Sequence, residues 1–142
     1  MIEKLIPKKI LNSLYNYDRI LVGGIVKVKN KTGILFLKRS NCEFMPNIWE
    51  IPSGGIEKGE SMLKALRREI KEETYLNIIS IGKYESYVSY SKQNKQCIQI
   101  NFNIICDGTI KLSSEHCEYT FSLINDFKKN LDNFMLKVLK LI

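Results

Sequence analysis

The segment Gly54 to Leu76 constrains this chain more than any other. Ser53-Gly54-Gly55 and Gly59 form a glycine-rich loop, and Ser61 to about Thr74 has the apolar spacing of a helix. Each helical residue advances by ~100°, so Glu69, Glu72 and Glu73, related by i+3 and i+4, share one face. Leu63, Leu66 and Ile70 form the adjacent apolar face, while Lys64, Arg67 and Lys71 lie opposite. An acidic face beside an apolar one places the helix at the wall of a core, with its acids gathered at one edge.

Three carboxylates on one face repel each other. A like-charged i,i+4 pair costs roughly 0.2–0.5 kcal/mol in an isolated helix. Hard cations offset that repulsion, and an all-oxygen donor set suits Mg²⁺, with Mn²⁺ as the alternative. Arg68 stands four residues before Glu72, within reach to pair with it and fix its direction. The glycine loop ahead of the helix brings backbone close to a phosphate or a metal. Acids, metal and phosphate cradle together are the ingredients for hydrolysing a phosphoanhydride. Glu/Lys/Arg-rich helices are usually no more than solvated surfaces. Here the separation of acids from bases, and the glycine loop at a fixed distance, argue against that reading.

The rest of the chain fits one α/β unit. Its 142 residues are the size of a single domain, 1–142, with 44% hydrophobic residues to build a core. Residues 1–18 carry a helix-like spacing interrupted by Pro7 and form a helical lead-in. Ile20–Lys29 and Ile34–Arg39 are expected strands, joined by Asn30-Lys31-Thr32-Gly33 as a hairpin. Ile78–Tyr90 and Cys97–Cys106 follow as two more strands. In the second, Ile98, Ile100, Phe102 and Ile104 alternate with Gln99, Asn101 and Asn103, the pattern of a half-buried strand. Tyr119–Leu123 is a short strand, and Ile124 to Ile142 a final amphipathic helix. Mixed strands with two or three helices predict an α/β sandwich on a mixed sheet.

Composition removes other classes. The net charge of +7 favours anionic ligands, but the lysines are scattered and leave no nucleic-acid footprint. No apolar run approaches the ~18–20 residues of a membrane span. Met1 to Lys9 lacks a secretory apolar core. Cys42, Cys97, Cys106 and Cys117 form no CxxC pair, and with His116 as the only histidine the usual zinc spacings are absent. Reduced thiols in a cytoplasmic protein are the expectation.

The segment 54–76 resembles the Nudix box, Gly-x5-Glu-x7-Arg-Glu-(apolar)-x-Glu-Glu-x-Gly-(apolar). Gly54, Glu60, Arg68, Glu69, Ile70, Glu72, Glu73 and Leu76 meet it, and Tyr75 stands where the pattern has glycine. Trp49-Glu50-Ile51-Pro52-Ser53-Gly54-Gly55 resembles the entry to the box, and Glu115-His116-Cys117-Glu118-Tyr119-Thr120-Phe121 a later segment of the family. The resemblance implies a Nudix-type α/β/α sandwich with a mixed β-sheet, and Mg²⁺-dependent cleavage of a nucleoside diphosphate linked to another group. It also implies that Glu69, Glu72 and Glu73 bind metal and activate water, with the Ser53 carbonyl and Glu115 as further ligands. Arg68 would orient a carboxylate, Glu60 would support the metal shell, and Arg39, Gly54 and Glu60 would serve the substrate side. The second glycine of the box would be left-handed; with tyrosine there, the turn is expected to be rebuilt around Asn77.

The expected substrate is a small nucleotide, a nucleoside triphosphate or a close relative, cut to a monophosphate and pyrophosphate. ADP-ribose, dinucleoside polyphosphates or a capped RNA 5′ end are the alternatives within the enzyme class, and a non-catalytic nucleotide binder the alternative outside it. Nucleic acid other than an RNA 5′ end is not expected as a partner, nor is a membrane; a homodimer is an open expectation. His116 is read as a hydrogen-bonding loop residue, Tyr84, Tyr87 and Tyr90 as strand packing, and Trp49 as core. Asp132 and Asn133, before the apolar stretch Phe134–Ile142, are read either as caps or as groups that read a base edge.

Overall fold

In the computed structural model, which describes residues 1–142, the first 18 residues form three short turns: 3-10 segments at Ile2–Leu5 and Leu14–Asn16, and α1 (Lys8–Leu11) between them. Pro7 precedes α1 as its N-cap, because proline lacks the N–H that a continuing helix would need. Ile2 and Ile6 are buried in the main core, so this lead-in is docked.

β1 (Arg19–Val28) and β2 (Ile34–Arg39) are strands as expected, but they do not form a hairpin. β1 is hydrogen-bonded antiparallel to β4 (Ser53–Gly55) and parallel to β6 (Lys95–Asp107). β2 lies in a second sheet, between β3 (Trp49–Glu50) and β7 (His116–Ser122). The turn after β1 therefore carries the chain from one sheet to the other. Both edges of β1 are occupied, and Leu21 to Val26 are buried on both faces, which leaves β2 no place beside it. The first sheet, ordered β4-β1-β6-β5, is mixed. β5 (Asn77–Lys92) and β6 make its long hairpin, closed by Gln93 and Asn94, both at positive φ, as a tight two-residue turn requires.

Helices cover both sides of the strands. Alternate residues of one strand point to opposite faces. Val22 and Val26 of β1 and Leu35 and Leu37 of β2 pack with Ala65, Leu66 and Ile70 of α2 (Met62–Thr74). Ile25, Ile34 and Phe36 pack on the other side with Leu131, Met135 and Val138. The result is the expected α/β/α sandwich. The second core explains why β6 is not half-exposed: Gln99 and Asn101 are also buried.

The final helix is not continuous. It divides into α3 (Ile124–Phe127), a 3-10 turn Lys128–Asn130, and α4 (Asn133–Val138). Leu131 is extended, and Asp132 caps α4 by accepting the Met135 N–H at 2.9 Å. Aspartate offers the backbone a cap in place of another helical turn, and the apolar period did not reveal that break. No helix is long and apolar enough to cross a membrane.

Candidate active site

Helix α2 starts at Ser61, whose hydroxyl accepts the Lys64 N–H at 3.1 Å. It ends at Tyr75, with φ 67° and ψ 8°. The expectation that Asn77 would take the left-handed position is overturned: Asn77 is the first residue of β5, and its side chain accepts from Lys71 Nζ at 2.6 Å. Tyr75 adopts the conformation itself, with its N–H bonded to Lys71 O at 2.9 Å and Lys71 Nζ over its ring at 4.8 Å. The helix is thereby regular through Glu73.

A cavity of about 570 Å³ opens beside this helix. Glu69, Glu72 and Glu73 line it, with Ser53, Gly54 and Gly55 of β4, and with Arg39 and Glu115. The three acids share a face but differ in depth. Glu73 is 5% exposed and accepts the Ser53 N–H at 2.8 Å. Burial, and next the charge of Glu50, push its carboxyl well above the usual carboxylate range. Glu69 lies against Gly54, and burial raises its carboxyl too, although Arg68 Nη1 donates to it at 2.7 Å. Glu72 is the exposed member, 3.5 Å from Arg68.

The expected pairing of Arg68 with Glu72 is present at 3.5 Å, but the arginine's shorter contacts are to Glu60, at 2.7 and 2.9 Å, to Glu69, and to the Gly55 carbonyl at 3.0 Å. The guanidinium pulls the Glu60 carboxyl down to about 2. Glu60 does not line the cavity; it braces Arg68 behind it. Arg39 is on the cavity wall and is held by Glu50 at 3.2 Å and by the Phe44 carbonyl at 2.7 Å.

His116 is not a loop residue. It opens β7 with its side chain 1% exposed, and its Nε2 is 2.8 Å from Glu50 Oε2. Its Nδ1 faces Glu73 Oε2 at 3.8 Å and has no hydrogen-bond partner. Glu50 thus links Arg39 and His116, and His116 in turn faces Glu73. Sequence spacing could not show this, because Glu50, Glu73 and His116 come from three elements.

The cavity continues to residues of another kind: Leu21, Tyr90, Gln99, Phe134 and Met135, with Arg19 beside Gly55. The Tyr90 and Phe134 rings meet edge to face at 5.4 Å. Of the three tyrosines, Tyr90 alone lines the cavity; Tyr84 and Tyr87 do not. Trp49 packs on Phe127 at the second core, as expected. Asp132 both caps α4 and lines the cavity, whereas Asn133 is exposed and outside it. Arg19, Gln99 and Phe134 escaped the sequence reading. Arg19, a cation at a strand start like Arg39 at a strand end, gave the only hint.

The oxygen donors fit a hard divalent cation by chemistry. Burial and mutual repulsion raise Glu69 and Glu73, and a cation would reverse both effects. As placed, the acids do not close into a ready-made cage. Glu69 faces Gly54 and Arg68, Glu73 faces Ser53, and Glu72 faces solvent.

The NUDIX domain family model matches residues 19–141. The RNA pyrophosphohydrolase of Campylobacter jejuni (strain 81-176) is 35% identical over 129 residues, covering 75% of this chain and 79% of that protein. The ADP-ribose pyrophosphatase of Methanocaldococcus jannaschii is 33% identical over 135 residues, 89% of this chain and 76% of that protein. Among solved structures, the MutT protein from Methanosarcina mazei Go1 shares the fold, with a TM-score of 0.74 at 24% identity over 86% of this chain and 90% of that one. With the box, the sandwich and the family match in agreement over residues 19–141, this chain belongs to the Nudix family and is a hydrolase of the pyrophosphohydrolase class.

Proposed function

We propose that this single-domain chain cleaves a phosphoanhydride in a nucleoside triphosphate or a related nucleoside diphosphate derivative. The observation that carries the proposal is one continuous cavity with the acids of α2 along one wall and an aromatic, amide-bearing pocket along another. A nucleotide has that same division, with phosphates at one end and a flat base at the other.

Glu69, Glu72 and Glu73, with the Ser53 carbonyl and Glu115, would hold Mg²⁺, or Mn²⁺ in its place. The cation supplies charge neutralisation and a more acidic attacking water. The protein's own residues do the positioning. Arg68, braced by Glu60, holds Glu69; the Ser53 N–H holds Glu73; Arg19 and Arg39 offer positive charge to the phosphates. In its ionised form a buried carboxylate such as Glu73 is more basic than an exposed one, and is suited to take a proton from the attacking water.

The names of the relatives select the substrates to compare. ATP, ADP-ribose, a dinucleoside polyphosphate and an RNA with a 5′ triphosphate would be incubated with Mg²⁺, and again with a chelator, and the products separated by chromatography. The expected outcome is metal-dependent release of a nucleoside monophosphate or pyrophosphate from at least one of the four. No metal-dependent turnover of any of them would overturn the proposal and favour a nucleotide-binding role.

A further inference from the structure

A buried row of polar side chains runs through the sheet face that meets α4, and neither the acids nor the phosphate-facing cations use it. Gln99 lines the cavity, and Asn101 and Ser86 lie buried behind it. Gln99 Nε2 donates to Asn101 Oδ1 at 2.8 Å, and Asn101 Nδ2 donates to Ser86 Oγ at 3.1 Å. The Ser86 hydroxyl donates to the Val138 carbonyl of α4. Across from the row stands Gly23, where a Cβ would fall 2.4 Å from Asn101 Oδ1 and 2.8 Å from Gln99 Nε2. The backbone of β1 thus leaves the space that the two amides fill.

The polarity of this row is forced. A carbonyl only accepts, so the single hydroxyl hydrogen of Ser86 goes to Val138. Ser86 Oγ then accepts from Asn101, which must present Nδ2 there and Oδ1 to Gln99. Gln99 must in turn point Nε2 at Asn101. Its second Nε2 hydrogen and its Oε1 remain for a ligand. Oε1 takes no hydrogen bond from the protein and is not sealed away, since His116 Nδ1 is the one buried side-chain polar atom left without a partner. The surrounding walls, Leu21, Tyr90, Phe134 and Met135, are apolar or aromatic. An apolar slot with one oriented amide suits a flat ring with a polar edge.

We propose that Gln99 reads the base of the bound nucleotide, and that the relay to Val138 locks its amide so that the pocket prefers a 6-aminopurine to a 6-oxopurine. This rests on the nucleotide assignment above. Adenine presents an amino donor beside the N1 acceptor, and hypoxanthine presents O6 as acceptor beside the N1–H donor. An amide free to turn over serves either edge, whereas a locked one serves a single order. Adenine is favoured because a second acceptor, the carboxylate of Asp132, lines the same cavity and can take an amino hydrogen.

The test measures ADP and IDP binding by titration calorimetry, and ATP and ITP turnover with Mg²⁺. The wild type is expected to bind ADP about tenfold more tightly than IDP, the scale of one well-placed hydrogen-bond pair. Gln99→Met should take away most of that ratio, leaving only what Asp132 alone retains. Ser86→Ala, which leaves Gln99 in place but frees its amide, should lower the ratio severalfold while circular dichroism stays native. Equal affinities in the wild type, no binding of either ligand, or an undiminished ratio in Gln99→Met would overturn the proposal; the last would assign discrimination to Asp132. Discrimination without hydrolysis of either triphosphate would keep the base assignment and move the hydrolytic one to another nucleoside diphosphate derivative. Hydrolysis without discrimination would keep the hydrolytic assignment and remove the base one.

Discussion

Gly54 and Glu69 are packed so closely that a Cβ on Gly54 would lie 2.0 Å from the Glu69 carboxyl carbon. The glycine of the box therefore does more than turn the chain: its missing side chain is the seat of a carboxylate. Gly54→Ala should push Glu69 off that seat while β4 keeps its pairing to β1. Displacing a reacting group by ~1 Å can cost ~10²-fold in rate, and a loss of kcat on that scale is expected, with native circular dichroism. Near-normal kcat in steady-state assays would show that Glu69 functions from another position.

Glu72→Gln and Glu73→Gln should each lower kcat by at least ~10²-fold, the scale of losing a positioned acid, base or charge-stabilising group. Their effects on stability should differ. Glu73 is buried among like charges, so the neutral isostere removes a cost and should raise the melting temperature at pH 7 in the absence of metal. Glu72 is exposed and its isostere should change the melting temperature little. A destabilised Glu73→Gln would mean that the charged form is the one the folded protein prefers.

Stability should depend on pH in opposite senses on the two sides of Arg68. Glu69 and Glu73 hold their protons more tightly folded than unfolded, where glutamate titrates near ~4.3. The folded state then carries more protons above that value, and metal-free stability falls as pH rises through the window. Glu60, drawn down to about 2 by Arg68, behaves in reverse: its contribution is present above the ordinary glutamate value and is lost as pH falls toward about 2. Thermal scans across pH should show both slopes, with Glu73→Gln flattening the upper one and Glu60→Gln the lower one. Added Mg²⁺ should raise the melting temperature more at high pH than at low, because its carboxylate ligands must be deprotonated. A Mg²⁺ effect that is independent of pH would count against carboxylate ligation.

Tyr75→Gly should stabilise the protein. A non-glycine residue in the left-handed region costs about 1–2 kcal/mol, and the exposed Lys71 contact on the Tyr75 ring returns only about 0.5–1 kcal/mol. A net gain of several tenths of a kcal/mol in urea unfolding is expected, with kcat unchanged or modestly higher. A loss of both stability and turnover would show that the ring packs in a way its 59% exposure does not suggest.

The box and its helix were legible in the sequence because they are local. Helical periodicity alone places Glu69, Glu72 and Glu73 on one face, and the Ser61 cap, the glycine loop and the apolar stripe of α2 all agree with it. The long strands were legible for the same reason, since alternation and β-branching are properties of neighbours along the chain. Pairing was not. The turn at Asn30–Gly33 has hairpin chemistry, yet β1 is already flanked by β4 and β6, and only the assembled sheets exclude β2 from its side. The ending was misread because an apolar period does not register a cap, and Asp132 interrupts the helix that the period suggests.

The division is sharpest within the site. Sequence supplied the acids but not their differences: Glu73 is buried and Glu72 exposed, one residue apart, because the sheet edge at Ser53 covers one and not the other. It paired Arg68 with its helical neighbour Glu72, which stands at 3.5 Å, but could not show the shorter bonds to Glu60, a loop residue brought back by the glycine turn. His116 beside Glu73, and the row from Gln99 to Val138, join residues far apart in the chain. Hydrogen bonds and charges act over a few ångströms of space, whatever the separation in sequence. Residue types, periodicity and the box came from the chain alone; depth, partners and the shape of the pocket exist only once the two sheets and their helices are packed.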